Sequence, residues 1–365
     1  MTVFHYYARY LEHPSGVTDS LNHWVEELTK AGISTTIVAN ATGADTNEFA
    51  DRSVLKRIRH LGRSRATWIP LGLGRLLRKG DVLVLHEGWV VSNIIAAFVA
   101  RLRSVPYIVV PHGVYEKQLV DESRDVVGVR AALERSVLLH AAAIHVFYGG
   151  ERGTINTFLG ASEPKRYIVV PNGAPETKHQ QEWQGGGDYF LWIGRYDPYH
   201  KGLDLLLRYW AGLGEGRPRL VLAGPDFRGG RATVGALVRE LGLENSVELK
   251  TRVSGAEKAE LMAKCSAYIH PSRWESCSIM LLEMLSIGAP SLISGSIYAA
   301  QELEPHGVLH SEDFTRVSTD SNALSLISEN ADAGRTAKLW AKSIGGWNAV
   351  GPRYAHEISS IASGR

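Results

Sequence analysis

The chain has 365 residues, of which 44% are hydrophobic and 21% charged, and its formal net charge is +2 at pH 7. This length is too great for one ordinary hydrophobic core and predicts two domains. The balanced charge gives no reason to expect nucleic acid as a partner, and two cysteines, Cys265 and Cys277, without metal-ligand spacing exclude a disulfide framework and a zinc site.

The N-terminal half alternates short runs rich in Val and Ile with segments of helical period. No signal-peptide pattern and no long apolar stretch occurs, so we expect neither secretion by that route nor a membrane span, and a reducing cytoplasm fits best. The face formed by Val17, Leu21, Trp24 and Leu28 predicts a first helix. The predicted strands are Val3–Tyr7, Thr35–Ala39, Val82–Leu85, Tyr107–Val110, Ile144–Phe147 and Tyr167–Val170.

The segment Arg52–Lys79 is strongly basic and has no acidic residue between its ends. Its cations include Lys56, Arg57, Arg59, Arg63, Arg65, Arg75 and Arg78. A solvated helical face is the favoured interpretation. The alternative is a patch for anionic lipid, in which these cations act together with Trp68, Ile69, Leu73, Leu76 and Leu77.

The segment 173–188 is polar and ends in three glycines, so it predicts an interdomain linker. The alternation then restarts, and the last helix, from about Trp347 to Ile361, has no strand after it. We therefore predict an α/β fold of two doubly wound domains, 1–172 and 189–345, with ligands bound in a cleft between the carboxyl edges of their sheets. The strands predicted in the second domain are Phe190–Ile193, Leu220–Ala223, Val247–Leu249, Ala267–His270 and Pro290–Ile293.

Two glutamates stand eight positions apart where a strand passes through a tight loop into a helix. The loop from Glu275 to Ile279 includes Cys277 and Ser278, and its small residues would point free N–H groups at a phosphate. Glu283, placed two turns into that helix, can accept from the hydroxyls of a ribose. Such a pair of glutamates arises by chance about once in a chain of this size, so its position after a strand carries the interpretation.

Cationic and imidazole side chains follow two other predicted strands. Arg195 and Lys201 lie in the loop 194–202, and as a clamp they would stabilise the charge that builds on a diphosphate when a sugar leaves it. The alternative is a solvated pair in a polar loop. His112 follows Val110 at the end of its strand and is a candidate for contact with that sugar, although a lone histidine more commonly satisfies backbone groups.

Together these segments resemble retaining glycosyltransferase family 4 over nearly the whole chain. The landmarks are Ser15-Gly16, His86, Pro111-His112-Gly113, Pro171-Asn172-Gly173, Gly194-Arg195, Lys201-Gly202, Ala223-Gly224-Pro225, Glu275 and Glu283. The resemblance implies a GT-B fold, in which two Rossmann-like domains face each other across a cleft and the C-terminal segment 346–365 crosses back to the first domain.

The resemblance also implies roles for these residues. The catalytic set would be His112 beside the sugar, Arg195 and Lys201 on the diphosphate, and Glu275 on the sugar. The donor-binding set would be Gly16, Gly194, Gly224, Cys277, Ser278, Ile279 and Glu283. Two departures are Ser276-Cys277-Ser278, where the family has Gly-Phe-Gly, and Ser15, where it has Gly.

The implied reaction is front-face transfer of a hexose-type sugar, with retention, from a nucleotide-diphosphate sugar to a glycan, lipid-linked or small-molecule acceptor in polysaccharide biosynthesis. No metal, cofactor or nucleic-acid partner is expected. A lipid-linked acceptor would suit a peripheral position at the inner face of the membrane through 52–79. The alternatives are a catalytically silent binding or scaffolding subunit and a nucleotide-sugar epimerase or phosphorylase, although no pyridoxal-lysine motif is present.

Overall fold

The computed structural model describes residues 1–12, 15–41, 54–121, 128–160, 162–176, 181–316 and 331–364. It divides into two compact units: unit 1 consists of Met1–Asn172 with Trp347–Arg365, and unit 2 consists of Gly173–Gly346. In the described part of the chain, each unit is built on one large sheet in which all neighbouring strands are parallel. This is the α/β architecture that the alternating pattern predicted.

The sheet of unit 1 has the strand order β3-β2-β1-β6-β7-β8-β9. Its central strands are buried, which explains their continuous apolar runs. In chain order the elements are β1 (Thr2–Tyr6), α1 (Gly16–Lys30), β2 (Ser34–Asn40), β3 (Leu55–Ile58), β4 (His60–Leu61), β5 (Ile69–Pro70), α2 (Leu73–Leu76), β6 (Val82–His86), α3 (Val91–Leu102), β7 (Tyr107–Val110), α4 (Lys117–Asp121), α5 (Val129–His140), β8 (Ala143–Val146), α6 (Glu151–Leu159) and β9 (Tyr167–Val169).

The sheet of unit 2 has the order β12-β11-β10-β13-β14-β15. Its elements are β10 (Tyr189–Ile193), α7 (Leu203–Gly212), β11 (Arg219–Ala223), α8 (Gly230–Glu240), β12 (Val247–Lys250), α9 (Gly255–Lys264), β13 (Ala267–His270), α10 (Ile279–Ile287), β14 (Ser291–Ser294), α11 (Tyr298–Leu303), β15 (His310–Glu312) and α12 (Ala331–Ser343). The strands β3 and β15 were not predicted, because edge strands are short and partly exposed and so lack a clear apolar run.

The C-terminal helix α13 (Trp347–Ala362) belongs to unit 1 and packs on α1. The ring of Trp24 lies 4.7 Å from that of Trp347 and 4.4 Å from that of Tyr354. A side chain at Gly351 would collide with Glu27, so the two helices approach closely there. The aromatic contacts explain why a helix without a following strand is stable in this position.

The segment that begins after Asn172 is bonded to unit 2 along part of its length. The backbone N of Trp183 donates to Ile287 O at 2.9 Å, and its indole N donates to Cys265 O at 2.7 Å. Gln184 N donates to Ala263 O at 2.8 Å. These bonds hold this part of the chain against α9 and α10.

The basic segment is not the helical face that the sequence predicted. Its described part, from Val54 onward, contains the three short strands β3, β4 and β5 and the short helix α2, while Arg52 lies outside the described residues. Leu73 and Leu77 are each 1% exposed and belong to the core, so they are not available to a lipid surface. The apolar side chains exposed in this region are Leu61, Ile69 and Leu71, together with Phe98 and Leu102 on the neighbouring α3. In the part of the chain that the structure covers, no helix has the length and apolar character of a membrane span.

Candidate active site

Two loops meet at the carboxyl ends of β10 and β13 in unit 2. Gly202, the residue before α7, has φ 62°, and a Cβ atom built on it would fall on the carbonyl oxygen of Pro271. Only glycine therefore allows the backbone of the first loop to lie against the second. The close approach brings Lys201 to Glu275, which is 74 positions away.

The carboxylate of Glu275 is the centre of a compact polar cluster. Lys201 Nζ forms an ion pair with Oε1, the hydroxyl of Ser272 donates to the same oxygen at 3.0 Å, and His270 Nε2 lies 3.6 Å from it. Burial by itself would raise the pKa of Glu275, but Lys201 and His270 lower it well below its usual range. Glu275 is therefore a fixed anion at neutral pH.

Arg195 lies in the same loop as Lys201 but does not share its contact with Glu275. Its guanidinium lies 3.2 Å from His200 Nδ1 and stacks at 4.5 Å over the ring of Phe227. His200 in turn stacks on Trp274 at 4.5 Å, and its Nε2 lies 3.0 Å from Trp274 O. Burial and the charge of Lys201 lower the pKa of His200 to about 4. Arg195 is thus tied to the loop of Glu275 through a neutral imidazole.

The two glycines predicted to contact the donor, Gly194 and Gly224, pack against each other. A Cβ atom on Gly224 would fall on the carbonyl oxygen of Gly194, and one on Gly194 would fall on the ring of Trp192. The end of β11 can therefore lie this close to the end of β10 only with glycine at position 224, whereas glycine at position 194 leaves room for the indole of Trp192. This geometry accounts for both residues, and their contact with a donor stays a prediction.

The helix α10 begins directly after the loop of Glu275. Ser278 is its N-cap, and the hydroxyl accepts from Leu281 N at 3.3 Å. The N–H groups of Ile279 and Met280 lie in the first turn, where no carbonyl of the helix itself can accept from them. Cys277 is half-buried beside them. The loop amides predicted to bind phosphate, those from Glu275 to Ile279, therefore lead into a helix N-terminus, where the dipole favours an anion.

Glu283 lies four residues after the start of α10, which is one turn into the helix rather than the predicted two. Its carboxylate forms an ion pair with Lys258 of α9. Both side chains line a cavity of about 320 Å³, together with Gly255, Met262 and Ile287. This volume and the mixture of apolar and charged walls suit part of a nucleotide.

His112 is in unit 1, at the carboxyl end of β7, and is the outer, half-buried end of a chain of imidazoles whose other two members are buried. It has φ 53°, and the next residue, Gly113, has φ 78°. His112 Nε2 lies 2.9 Å from His86 Nδ1, and His86 Nε2 lies 3.1 Å from His5 Nδ1. Burial and the nearby His145 lower the pKa of His112 to about 3. The imidazole is therefore neutral, and its bond to His86, which is bonded in turn to His5, fixes its orientation.

In the loop before α1, the structure explains the presence of serine at position 15. Ser15 is the N-cap of α1, and its hydroxyl and that of Thr18 form a capping box. Gly16 is the first residue of the helix, and Pro14 lies outside the described residues. Serine in place of the family's glycine therefore supplies a cap.

The structure brings Lys201 and Glu275 into contact and places Arg195 and Glu283 on the adjoining loop and helix. His112 lies in the other unit. Sequence reasoning missed the roles of His200, Trp274, His270 and Lys258, because stacking and ion pairing between distant segments leave no local pattern. Within the described ranges, no group of three or more His, Cys, Asp or Glu side chains is arranged to hold a metal ion.

Two family models match consecutive parts of the chain. The model described as "Glycosyl transferase 4-like domain" matches residues 15–173, and the one described as "Glycosyl transferases group 1" matches residues 174–329. The matched regions correspond closely to the two units.

Individual relatives extend over most of the chain. This chain is 26% identical, over 311 residues, to a GDP-mannose:cellobiosyl-diphosphopolyprenol alpha-mannosyltransferase of Xanthomonas campestris. The matched region covers 83% of this chain and 80% of the relative. The fold is similar to that of a sucrose-phosphate synthase from Thermosynechococcus elongatus, with a TM-score of 0.76, 15% identity and complete coverage of both chains. It is also similar to HepE from Anabaena in complex with UDP, with a TM-score of 0.74, 15% identity and coverage of 98% and 99%.

Proposed function

Because this chain belongs to glycosyltransferase family 4, we propose that it is a retaining mannosyltransferase that uses GDP-mannose and a glycan carried on a lipid diphosphate. The glycosyltransferase class and the GT-B fold are established by the family matches and the solved structures. The sugar, the acceptor and the stereochemistry are our proposal. The donor and acceptor are suggested by the curated relative, which shares 26% identity with this chain.

The observation that carries the proposal is the contact between Lys201 and Glu275 beside the start of α10. In this scheme the sugar binds at Glu275, which accepts from its hydroxyls, and Lys201 stays paired with Glu275 while another of its three N–H groups bonds to the β-phosphate as charge builds there. Arg195 and the amides of Ile279 and Met280 provide further positive charge. Preorganised donors of this kind are each worth on the order of 10²-fold in rate.

The nucleoside is assigned to the cavity beside Glu283. The carboxylate of Glu283 would accept from the ribose hydroxyls, and the apolar walls formed by Met262 and Ile287 would contact the base. The relative named above is specified for GDP-mannose, whereas the HepE structure contains UDP. Both nucleotides are therefore tested.

The proposed chemistry is a front-face substitution. The bond from the anomeric carbon to the β-phosphate oxygen breaks, and the electron pair remains on the phosphate. The acceptor oxygen bonds to the same face of the sugar, and its proton passes to the departing phosphate. The protein supplies positioning and fixed charge rather than a general base.

Neutral His112 would donate or accept a hydrogen bond at a sugar hydroxyl. We propose that Lys201 and Arg195 stabilise the negative charge of the departing phosphate without a divalent ion.

A peripheral contact with an anionic lipid surface fits the proposed acceptor. Leu61 and Ile69 are paired across β4 and β5, and Phe98 and Leu102 lie one turn apart on α3, which contacts β5. These four side chains are 56%, 41%, 57% and 68% exposed. The same segments of the chain, 59–79 and α3, also carry exposed cations, namely Arg59, Arg63, Arg75, Arg78, Lys79 and Arg101. Apolar side chains with a basic rim are typical of a surface that binds anionic membrane.

The test is incubation of the purified protein with GDP-mannose, UDP-glucose and other nucleotide sugars, with and without a lipid-diphosphate-linked cellobiose. With GDP-mannose, we expect nucleotide release that depends on the acceptor. We also expect NMR to show an axial α-linkage in the product. The reaction is repeated with excess EDTA, which should leave the rate unchanged. Thermal unfolding of the protein is also measured with each nucleotide. If no donor and no nucleoside diphosphate raises the Tm, a catalytically silent binding subunit is favoured instead.

A further inference from the structure

Unit 1 contains a cavity of about 340 Å³ that the donor-binding residues do not use. It lies after the carboxyl end of β6 and is lined by Arg9, Glu87, Gly88, Trp89, Val114 and Arg130. Glu87 directly follows His86, whose ring is bonded to His112. The cavity therefore begins one residue from the imidazole chain that holds His112.

The backbone of this turn is held in an unfavourable conformation. Glu87 has φ 68° and Trp89 has φ 58°, both in the left-handed region that costs a residue with a side chain about 1–2 kcal/mol. A Cβ on Gly88 would lie 2.6 Å from both Glu134 Oε1 and the hydroxyl of Tyr115. Strain of this kind persists only where the surroundings enforce it, and it concentrates at functional sites.

Buried side chains behind the turn enforce that conformation. Glu134, which is 1% exposed, accepts from Trp89 N at 2.7 Å and from Tyr115 OH at 2.6 Å. The buried Asn93 donates to the carbonyls of His86 and Glu87 at 2.8 and 3.1 Å. The turn is thus fixed from the core, and its side chains are presented to the cavity.

The side chains presented there suit a neutral polyhydroxy ligand. Glu87 accepts from Tyr7 OH and from Arg9 Nη1, both at 3.2 Å, and its side chain is 17% exposed. Arg9 also lies 3.6 Å from Glu12. The guanidinium of Arg9 is therefore flanked by two carboxylates, and that of Arg130 lies near the carboxylate of Glu134, which disfavours an anion. Vicinal hydroxyls can donate to a carboxylate and accept from a guanidinium at the same time, and an indole offers an apolar face to the ring of a pyranose.

We propose that this cavity binds the terminal pyranose of the acceptor, between Glu87, Arg9 and Trp89. The proposal rests on the proposed function and names the acceptor subsite of that reaction. It places the sugar that receives the new bond next to the histidine chain ending at His112.

The test is binding of free cellobiose, measured by saturation-transfer NMR, to the unchanged protein and to the variants Glu87→Gln and Arg9→Gln. The matched control is Glu26→Gln, the same change at a 56% exposed glutamate that is ion-paired with Lys30 on α1. We expect each cavity variant to weaken cellobiose binding at least ~10-fold, as loss of a hydrogen bond to a charged group predicts. The control should bind like the unchanged protein. Equal far-UV circular dichroism spectra and equal cooperative thermal unfolding in all four proteins would show that the variants are folded.

Inorganic pyrophosphate is the second probe. Binding of pyrophosphate but not cellobiose would overturn the proposal in favour of an anion site, and binding of neither, or equal cellobiose binding by all four proteins, would also overturn it. The experiment distinguishes failure of the proposed function from failure of the sugar subsite. If no nucleotide sugar is turned over and no nucleoside diphosphate binds, but cellobiose binding depends on Glu87 and Arg9, the proposed function fails and the sugar subsite stands.

Discussion

Lys201 and Glu275 form an ion pair although 74 positions separate them, and both side chains are largely buried, with exposures of 16% and 13%. Breaking such a pair by removing one partner leaves a charge buried without its counter-ion, which is strongly unfavourable. The same two groups are the ones we assign to the leaving phosphate and the sugar.

We expect Lys201→Ala and Glu275→Ala each to lower kcat by at least ~10²-fold, since both remove charge that acts in the transition state. The measurement is acceptor-dependent nucleotide release at saturating donor. Lys264→Ala is the control, because Lys264 is exposed and forms its ion pair along its own helix, with Glu260. Near-normal turnover in both site variants would refute the assignment.

Gly202→Ala should destabilise unit 2 by more than the left-handed backbone alone would cost. Gly214→Ala is the matched control, since Gly214 has φ 73° but nothing within 4 Å of an added Cβ. A left-handed alanine costs about 1–2 kcal/mol at either site, and the collision with Pro271 should add about 1–3 kcal/mol at Gly202. Urea unfolding gives the two free energies, and equal values would show that the loops separate without cost.

The buried histidines predict loss of stability in mild acid. The pKa of His5 is lowered to about 3, mainly by burial and then by His145, and that of His145 to about 4, by burial. Their ordinary value is 6.5, so the unfolded state binds more protons below that pH, and stability falls as the pH drops from 6.5 towards 4. His5→Gln should reduce the slope by about 1.4 kcal/mol per pH unit.

This slope is measured from urea unfolding at a series of pH values between 4 and 7. His140→Gln is the control, since His140 is exposed at the end of α5. An unchanged slope in His5→Gln would mean that His5 is already protonated in the folded protein.

The nucleoside assignment predicts that Glu283→Gln weakens GDP binding at least ~10-fold, because a charged hydrogen-bond acceptor for the ribose is lost. Lys258→Met should have a smaller effect, since it removes only the ion-pair partner of Glu283. Isothermal titration with GDP and UDP measures both. Equal GDP affinity in Glu283→Gln and the unchanged protein would place the ribose elsewhere.

Replacing Phe98 and Leu102 by Ser should lower the fraction of protein that sediments with phosphatidylglycerol vesicles at low salt at least ~5-fold. Burial of each apolar side chain contributes about 1.5–3 kcal/mol, and partial insertion contributes less. Leu339→Ser is the control, because Leu339 is 67% exposed on α12 of unit 2. The proposed lipid-binding surface would be excluded if the unchanged protein did not sediment with the vesicles, or if the double substitution left sedimentation unchanged.

The sequence by itself determined the α/β class, the buried strands of both sheets and the loops that carry Lys201 and Glu275. These features follow from local patterns, since a buried parallel strand is a continuous apolar run and a site residue follows its end. The edge strands β3 and β15 lack that run. The prediction of a helical face in the basic segment was wrong, because the spacing of leucine and arginine does not distinguish a helix from short strands.

Only the tertiary structure decided which side chains meet. The pair of Lys201 with Glu275, the imidazole chain from His5 to His112 and the turn at Glu87 all join segments far apart in the chain, and no local period records such contacts. Burial was likewise decided by packing, which placed Leu73 and Leu77 in the core and left Phe98 and Leu102 exposed. The physical reason is that strand and helix periods depend on near neighbours, whereas contacts and pKa values depend on atoms brought together by the fold.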